Sequence, residues 1–104
     1  MSGIRVVLCN CPPDQAPDIA KAVVNEQLAA CVNLLPVRSV YRWNGELEQD
    51  EEVTLVIKTA EETVGALSER LLALHPYELP EVVVLAVDSA ASSGAYVDLS
   101  LIHI

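Results

Sequence analysis

The sequence predicts an α+β sandwich in the order β-α-β-β-α-β, with two helices on one face of a four-stranded antiparallel sheet. Three observations predict it. Asn44-Gly45 stands between two long strand-like runs, the strongest short signal for a hairpin, because a type I′ turn needs φ > 0 at both central residues. Two stretches, Gln15 to Leu28 and Val64 to Leu74, carry apolar residues at helical spacing. Two apolar runs, Ile4 to Leu8 and Glu81 to Val87, bracket these elements as further strands. With 104 residues the chain has room for one domain and a single modest core, expected over residues 1–98.

Taken in order, Ile4 to Leu8 reads as a strand buried on both faces. Cys11-Pro12-Pro13-Asp14 breaks it. Asp14 is the expected N-cap of the first helix, with Pro17 tolerated in a first turn whose amides lack helical partners. Ala16, Ile19, Ala20, Val23, Val24 and Leu28 form the apolar stripe of that helix. The hairpin occupies Leu28 to Thr59. An unbulged two-residue turn sets Trp43 opposite Glu46, Tyr41 opposite Glu48, Ser39 opposite Asp50 and Arg38 opposite Glu51. Side chains alternate across a strand, so Glu46, Glu48, Asp50 and Glu52 share a face with Tyr41 and Trp43, while Leu47, Val53, Leu55 and Ile57 take the other. Pro36 cannot donate to a ladder and argues for a bulge or an edge position. Thr59 and Glu62 fit a capping box for the second helix, whose stripe is Val64, Leu67, Leu71 and Leu74. His75-Pro76 ends that helix, since the residue before proline is pushed out of the α region. After the last strand, residues 89–94 form a small-residue loop and residues 95–99 begin a third helix.

Right-handed crossovers fold this order into a ferredoxin-like sandwich. Its helices leave one sheet face open, and Val, Leu and Ile occupy both parities of the strands, so that face is expected to be apolar and in need of cover. Each hairpin arm can run about 14 residues, roughly 45 Å if extended, against about 5–6 residues for an ordinary strand. A hairpin of that length projects from a small domain and needs another chain to pack on. The two features together predict a closed homo-oligomer.

Fifteen acidic residues oppose six basic ones, a net charge of −9 with His neutral. Phosphate-binding surfaces need clustered Lys and Arg, so neither nucleic acid nor an anionic membrane is an expected partner, whereas cations are. Three cysteines make no disulfide framework and suit a reducing cytoplasm. The opening residues lack the features of a signal peptide, so none is expected, and no apolar run approaches the ~20 residues that span a bilayer.

Few residues offer chemistry. The chain has no nucleophile turn and no glycine-rich phosphate loop, so it is not expected to be an enzyme. Cys9-x-Cys11 sets two thiols on the same face of an extended segment, either as ligands for a thiophilic metal or as small core residues. Cys31, after Ala29-Ala30, is open to the same two readings. The Glu46, Glu48, Asp50 and Glu52 row lies about 7 Å apart along its strand, too far apart for tight chelation, and suits a solvated edge that resists aggregation. The segment His75-Pro-Tyr-Glu-Leu-Pro-Glu81 joins imidazole, phenol and carboxylates in a loop stiffened by two prolines. That set suits Cu(II), Zn(II) or a similar ion, or else makes a structural elbow with His75 capping helix carbonyls. Lys58 ends an apolar strand on the parity of the acidic row, placed for an anionic ligand group or a carboxylate.

The stretches LAACVNLLPVRSVYRWNGELEQDEEVTLVIKT and LHPYELPEVVVL together resemble the CutA family of divalent-cation tolerance proteins. A-A-C-V-N, S-V-Y-R-W-x-G, the acidic run ending in L-V-I-K-T and H-P-Y-E-x-P-E follow the family's order over residues 4 to 98. The resemblance implies a tight homotrimer with hairpins wrapping neighbouring subunits. It also implies a role in tolerance of copper and other divalent ions, no enzymatic reaction, and no obligatory cofactor, with Cu(II) or another divalent cation as the candidate ligand. It maps metal ligands onto His75 and Cys31, and an inter-subunit pocket onto Tyr41, Trp43, Glu52, Lys58, Tyr77 and Glu81. The trimer implied is also similar to that of PII-type signalling proteins, which supports the alternative of a sensor for a small metabolite or protein partner between subunits. One departure stands out. The family continues into a Tyr-x-x-Trp helix, but here Tyr96-Val97-Asp98 is followed by Leu-Ser-Leu-Ile-His-Ile. Those residues translate one frame of a transposon-end sequencing adapter, so 99–104 are expected to be a non-native tail, and His103 is not counted as a ligand.

Overall fold

Four strands form one antiparallel sheet, in which the second strand pairs with the third, the third with the first and the first with the fourth, as the element order requires. A computed structural model describes residues 3–88 and 90–96. Its elements are β1 (Ile4–Cys11), α1 (Ala16–Asn25), β2 (Cys31–Trp43), β3 (Glu46–Ala60), a single 3-10 turn (Glu61–Thr63), α2 (Val64–Leu74) and β4 (Val83–Ala86). Gly94 to Tyr96 are helical; the rest of the expected third helix and the 99–104 tail lie outside the described residues.

The hairpin register runs unbroken from Cys31 opposite Lys58 to Trp43 opposite Glu46, through every pairing expected from the turn. Asn44 and Gly45 have φ of 50° and 80°, which fits the type I′ turn and its match to strand twist. Pro36 sits opposite Val53 with no bulge. It is tolerated because β2 is an edge strand, so its missing N–H faces no partner.

β1 runs three residues past Leu8, because the long inner arm of the hairpin pairs with it as far as Cys11 opposite Val53. It is not buried on both faces: Val7, Cys9 and Cys11 are fully buried under the helices, while Val6 and Leu8 opposite them are only half-buried. β4 is shorter than expected, since it pairs only with Arg5 to Leu8.

Both helices differ at their ends from the sequence reading. Asp14 caps nothing; Gln15 holds the N-cap position without a side-chain bond, and the Pro12 carbonyl accepts the amides of Gln15 and Ala16 at 3.1 Å each. α1 stops at Asn25, where Gln27 enters the left-handed region at φ 62°. The Leu28 amide then reaches back to Val23 O at 2.9 Å and the Gln27 amide to Val24 O at 3.0 Å, a Schellman motif made without glycine. Val24, counted in the apolar stripe, is exposed. The Thr59–Glu62 capping box is not formed. Thr59 still belongs to β3 and is fully buried, donating its hydroxyl to Leu28 O at 2.8 Å, and Thr63 takes the N-cap position of α2.

The core lies between the helices and one sheet face, built from Val7, Cys9 and Cys11 of β1, Val53, Leu55 and Ile57 of β3, and Ile19, Val23, Leu67 and Leu71 of the helices. The other face stays open. Leu35, Val83 and Leu85 stand on it at 49%, 44% and 44% exposure, level with Val6, Leu8 and Val56. No helix among the described residues is long and apolar enough to cross a membrane.

Candidate functional site

Two arrangements meet where β1 passes the end of α2, one on each side of the sheet. On the helix side, period-two alternation points Cys9 and Cys11 inward together. His75, at the C-cap of α2, is held by its own amide, which donates to Leu71 O at 2.9 Å, and by its extended pre-proline backbone at ψ 133°. Its ring is 8% exposed and points at β1. One donor atom from each of Cys9, Cys11 and His75 lies within 4.8 Å of the others. The elbow reading is met in a different form: the ring satisfies the Asn10 carbonyl of β1 rather than a helix carbonyl.

Hydrogen bonding sets the tautomer. The Tyr77 amide donates to His75 Nδ1 at 3.1 Å, so Nδ1 is an acceptor and the proton sits on Nε2, which donates to Asn10 O at 2.6 Å. The Cys11 thiol donates weakly to Cys9 O at 4.0 Å. Hydrogen bonding with Cys11, burial, and the charges of Cys11, Glu81 and Glu52 together hold the Cys9 thiol above its ordinary range. The same pairing lowers the Cys11 thiol, against its own burial and the charge of Glu52, so Cys9 is the thiol held neutral at rest.

On the open side a cavity of about 620 Å³ lies between the hairpin stem and the 77–81 loop, walled by Tyr41, Trp43, Glu52, Tyr77, Glu78 and Glu81. Of the six residues that the resemblance maps to an inter-subunit pocket, Tyr41, Trp43, Glu52, Tyr77 and Glu81 line this cavity of the single chain, and Lys58 does not. Glu52 is only 7% exposed, and its Oε2 accepts from the Tyr77 hydroxyl at 2.9 Å. Burial first, then that bond and the charges of Glu52 and Asp50, raise the Tyr77 phenol above its usual range. The Tyr41 hydroxyl donates to Asp50, the main reason its phenol is pushed up to about 12. The His75 and Tyr77 rings pack with centroids 4.6 Å apart. Asn10 serves both sides, its carbonyl on His75 and its side chain accepting from Thr54 Oγ1 at 2.7 Å beside the cavity.

Within one chain the structure does not bring His75 and Cys31 together. Cys31 starts β2 opposite Lys58, on the open face, where Lys58 Nζ donates to Asn33. His75 meets β1 at Asn10, opposite Thr54, which is about 13 Å along the sheet from Lys58 and on the other face. The partners of His75 are instead Cys9 and Cys11. Their signal was present as the C-x-C spacing, and Asn10 between them carried none.

A four-stranded antiparallel sheet in this order, with a long hairpin and an open apolar face, defines a ferredoxin-like protein, and the cluster beside β1 gives it a soft-donor candidate ion site. Comparison with known proteins narrows this class. The profile of the family described as CutA1 divalent ion tolerance protein matches residues 5–98, and the chain belongs to that family. It is 46% identical over 96 residues to the divalent-cation tolerance protein CutA of Thermus thermophilus, covering 90% of this chain and 91% of that one. It is 45% identical over 87 residues to protein CutA of Mus musculus, covering 82% of this chain but 49% of the mouse protein, about half its length. Among solved structures, the PII-like protein CutA from Nostoc sp. PCC 7120 superposes with a TM-score of 0.92 at 43% identity, covering 95% of each chain. CutA from Xylella fastidiosa gives 0.92 at 38% identity, covering 99% of each.

Proposed function

We propose that this chain acts in divalent-cation tolerance as a homotrimer that binds thiophilic metal ions weakly at Cys9, Cys11 and His75. The observation that carries this reading is the three buried donors within 4.8 Å of one another. Two sulfurs and an imidazole suit zinc or copper. Weakness follows from the resting hydrogen bonds. To give a nitrogen to an ion, His75 must release Tyr77 N–H or move its proton off Nε2 and lose Asn10 O, at about 0.5–1.5 kcal/mol for each bond. The neutral Cys9 thiol must also lose its proton to the solvent before it ligates. The chain's residues supply position and softness; the ion, when bound, supplies charge neutralisation of the thiolates. A His75–Cys31 ligand pair, as the resemblance implies, needs Cys31 from a neighbouring copy. We assign the chain no reaction, and three unpaired cysteines suit the reducing cytoplasm. Calorimetric titration with Zn(II) under reducing conditions tests the site: binding is expected to be lost in Cys9→Ser and His75→Ala, and unchanged binding in both refutes it.

The trimer is supported by the apolar open face, a patch of the kind that marks an interface. Light scattering at micromolar concentration tests it, and a monomer there refutes it. A second reading, a small-molecule sensor, is favoured by the aromatic and acidic cavity of about 620 Å³, within the size range of ligand sites.

A further inference from the structure

We infer that the cavity between the hairpin stem and the 77–81 loop takes an organic ammonium ion, a protonated amine on a carbon skeleton of the alkylamine or polyamine class. This names the ligand's chemistry for the small-molecule reading and rests on that reading only for the place of the site.

Charge decides first. Glu52, Glu78 and Glu81 line the cavity, and none of its described lining residues is Lys, Arg or His. Among the described residues the ion pairs are Arg5–Glu61, Arg38–Glu51 and Arg70–Glu26, so within one chain the three carboxylates face the cavity without a cationic partner. Glu52 matters most. It is 7% exposed, with one oxygen on the Tyr77 hydroxyl and no counter-charge, and a buried carboxylate is costly unless it is paired. An anionic ligand would add to the repulsion, and a neutral one would leave Glu52 as it is.

Shape and surface decide between kinds of cation. The described donor groups that converge closely enough to hold a bare metal ion are Cys9, Cys11 and His75 on the other side of the sheet. The cavity carboxylates do not converge in that way. Its volume of about 620 Å³ also exceeds what an ion fills and matches a small organic molecule. Three walls are aromatic, from Tyr41, Trp43 and Tyr77. Their ring faces attract cations, Trp most strongly, and they cover the apolar skeleton that a bare ion lacks. Carboxylates for the amine and ring faces for its methylenes are what a protonated amine requires.

Trp43 is the sole Trp of the chain, so its fluorescence reports the cavity directly. The full chain is titrated with spermidine at constant ionic strength, with Mg(II) and ATP as separate probes. The expected result is a saturable change in Trp43 emission with spermidine and none with Mg(II). Affinity should be weakened at least about tenfold in Glu52→Gln. A Glu78→Gln/Glu81→Gln double variant, altered only at exposed loop positions, should weaken binding in the same direction even where Glu52→Gln disturbs folding. An equal response to Mg(II) overturns the inference, because it marks general screening of charge. Saturation by ATP without a response to spermidine overturns the ammonium chemistry and leaves the small-molecule reading standing. Silence with spermidine and ATP alike overturns both.

Discussion

Tyr77→Phe removes one oxygen and tests how the open-side cavity is held together. In the wild type that hydroxyl donates to Glu52 Oε2 at 2.9 Å, and Glu52 is 7% exposed. A hydrogen bond to a charged group contributes about 1.5–3 kcal/mol, and the carboxylate left behind loses a partner it cannot fully replace with water. Tyr77 is itself 38% exposed, so solvent makes up part of the loss and the lower end applies: a cost of about 1–2 kcal/mol at pH 7. Urea unfolding at fixed protein concentration measures it, with Glu52→Gln and Tyr77→Phe/Glu52→Gln completing a cycle; the expected coupling is about 1 kcal/mol. The pH dependence carries the same signature. The folded phenol titrates above its ordinary value, near 10 in an unfolded chain, so its stabilisation is complete below about pH 10 and is lost as pH rises toward the folded value. Tyr77→Phe should lack that component of alkaline destabilisation. A cost below about 0.3 kcal/mol with zero coupling, and an unchanged alkaline slope, would refute the reasoning.

Gln27→Gly should stabilise the chain by about 0.5–1 kcal/mol, because the φ of 62° strains a residue with a Cβ; a destabilised variant in thermal melts would contradict the Schellman assignment. Gly45→Ala, at φ 80°, should cost about 1 kcal/mol or more in the same melts. Zn(II) affinity should rise with pH by about tenfold per unit for each thiol proton displaced, and a flat calorimetric profile from pH 6 to 8 would exclude the thiols as ligands. Val83→Lys or Leu85→Lys should shift the light-scattering mass toward the monomer, since either puts an unpaired charge on the open face; unaltered assembly would move the interface elsewhere.

The parts of the fold legible in the sequence are those governed by local chemistry. Asn44-Gly45 dictates a turn, and strict alternation then dictates all the pairings from Trp43–Glu46 to Arg38–Glu51. Where distant partners compete with local signals, the sequence misleads. Thr59 has a capping-box pattern, but the Glu61 amide is taken by Gly3 O at 2.9 Å, and ladder pairing keeps Thr59 in β3. α1 ends at Asn25, and its left-handed cap falls on Gln27 without the glycine that announces one. The soft-donor cluster was half legible, since C-x-C was visible and His75 was visible. Their meeting depends on β1 being drawn out to Cys11 by the hairpin's inner arm, a pairing 42 residues distant in sequence at Cys11–Val53. Cys31 shares no such contact, and nothing local distinguished it from Cys9.

The His75 ring holds more than its own place in the fold. Its two nitrogens tie β1 to the start of the 77–81 loop through Asn10 O and Tyr77 N–H, and Tyr77 in turn steadies the carboxylate of Glu52. An ion that takes either nitrogen withdraws one of those ties, and the withdrawal reaches the cavity wall within two residues. Ion binding on the helix side, as proposed, and ligand binding on the open side, as inferred, would therefore draw on the same few bonds. Whatever free energy one event takes from them is unavailable to the other, and the effect must run equally in both directions.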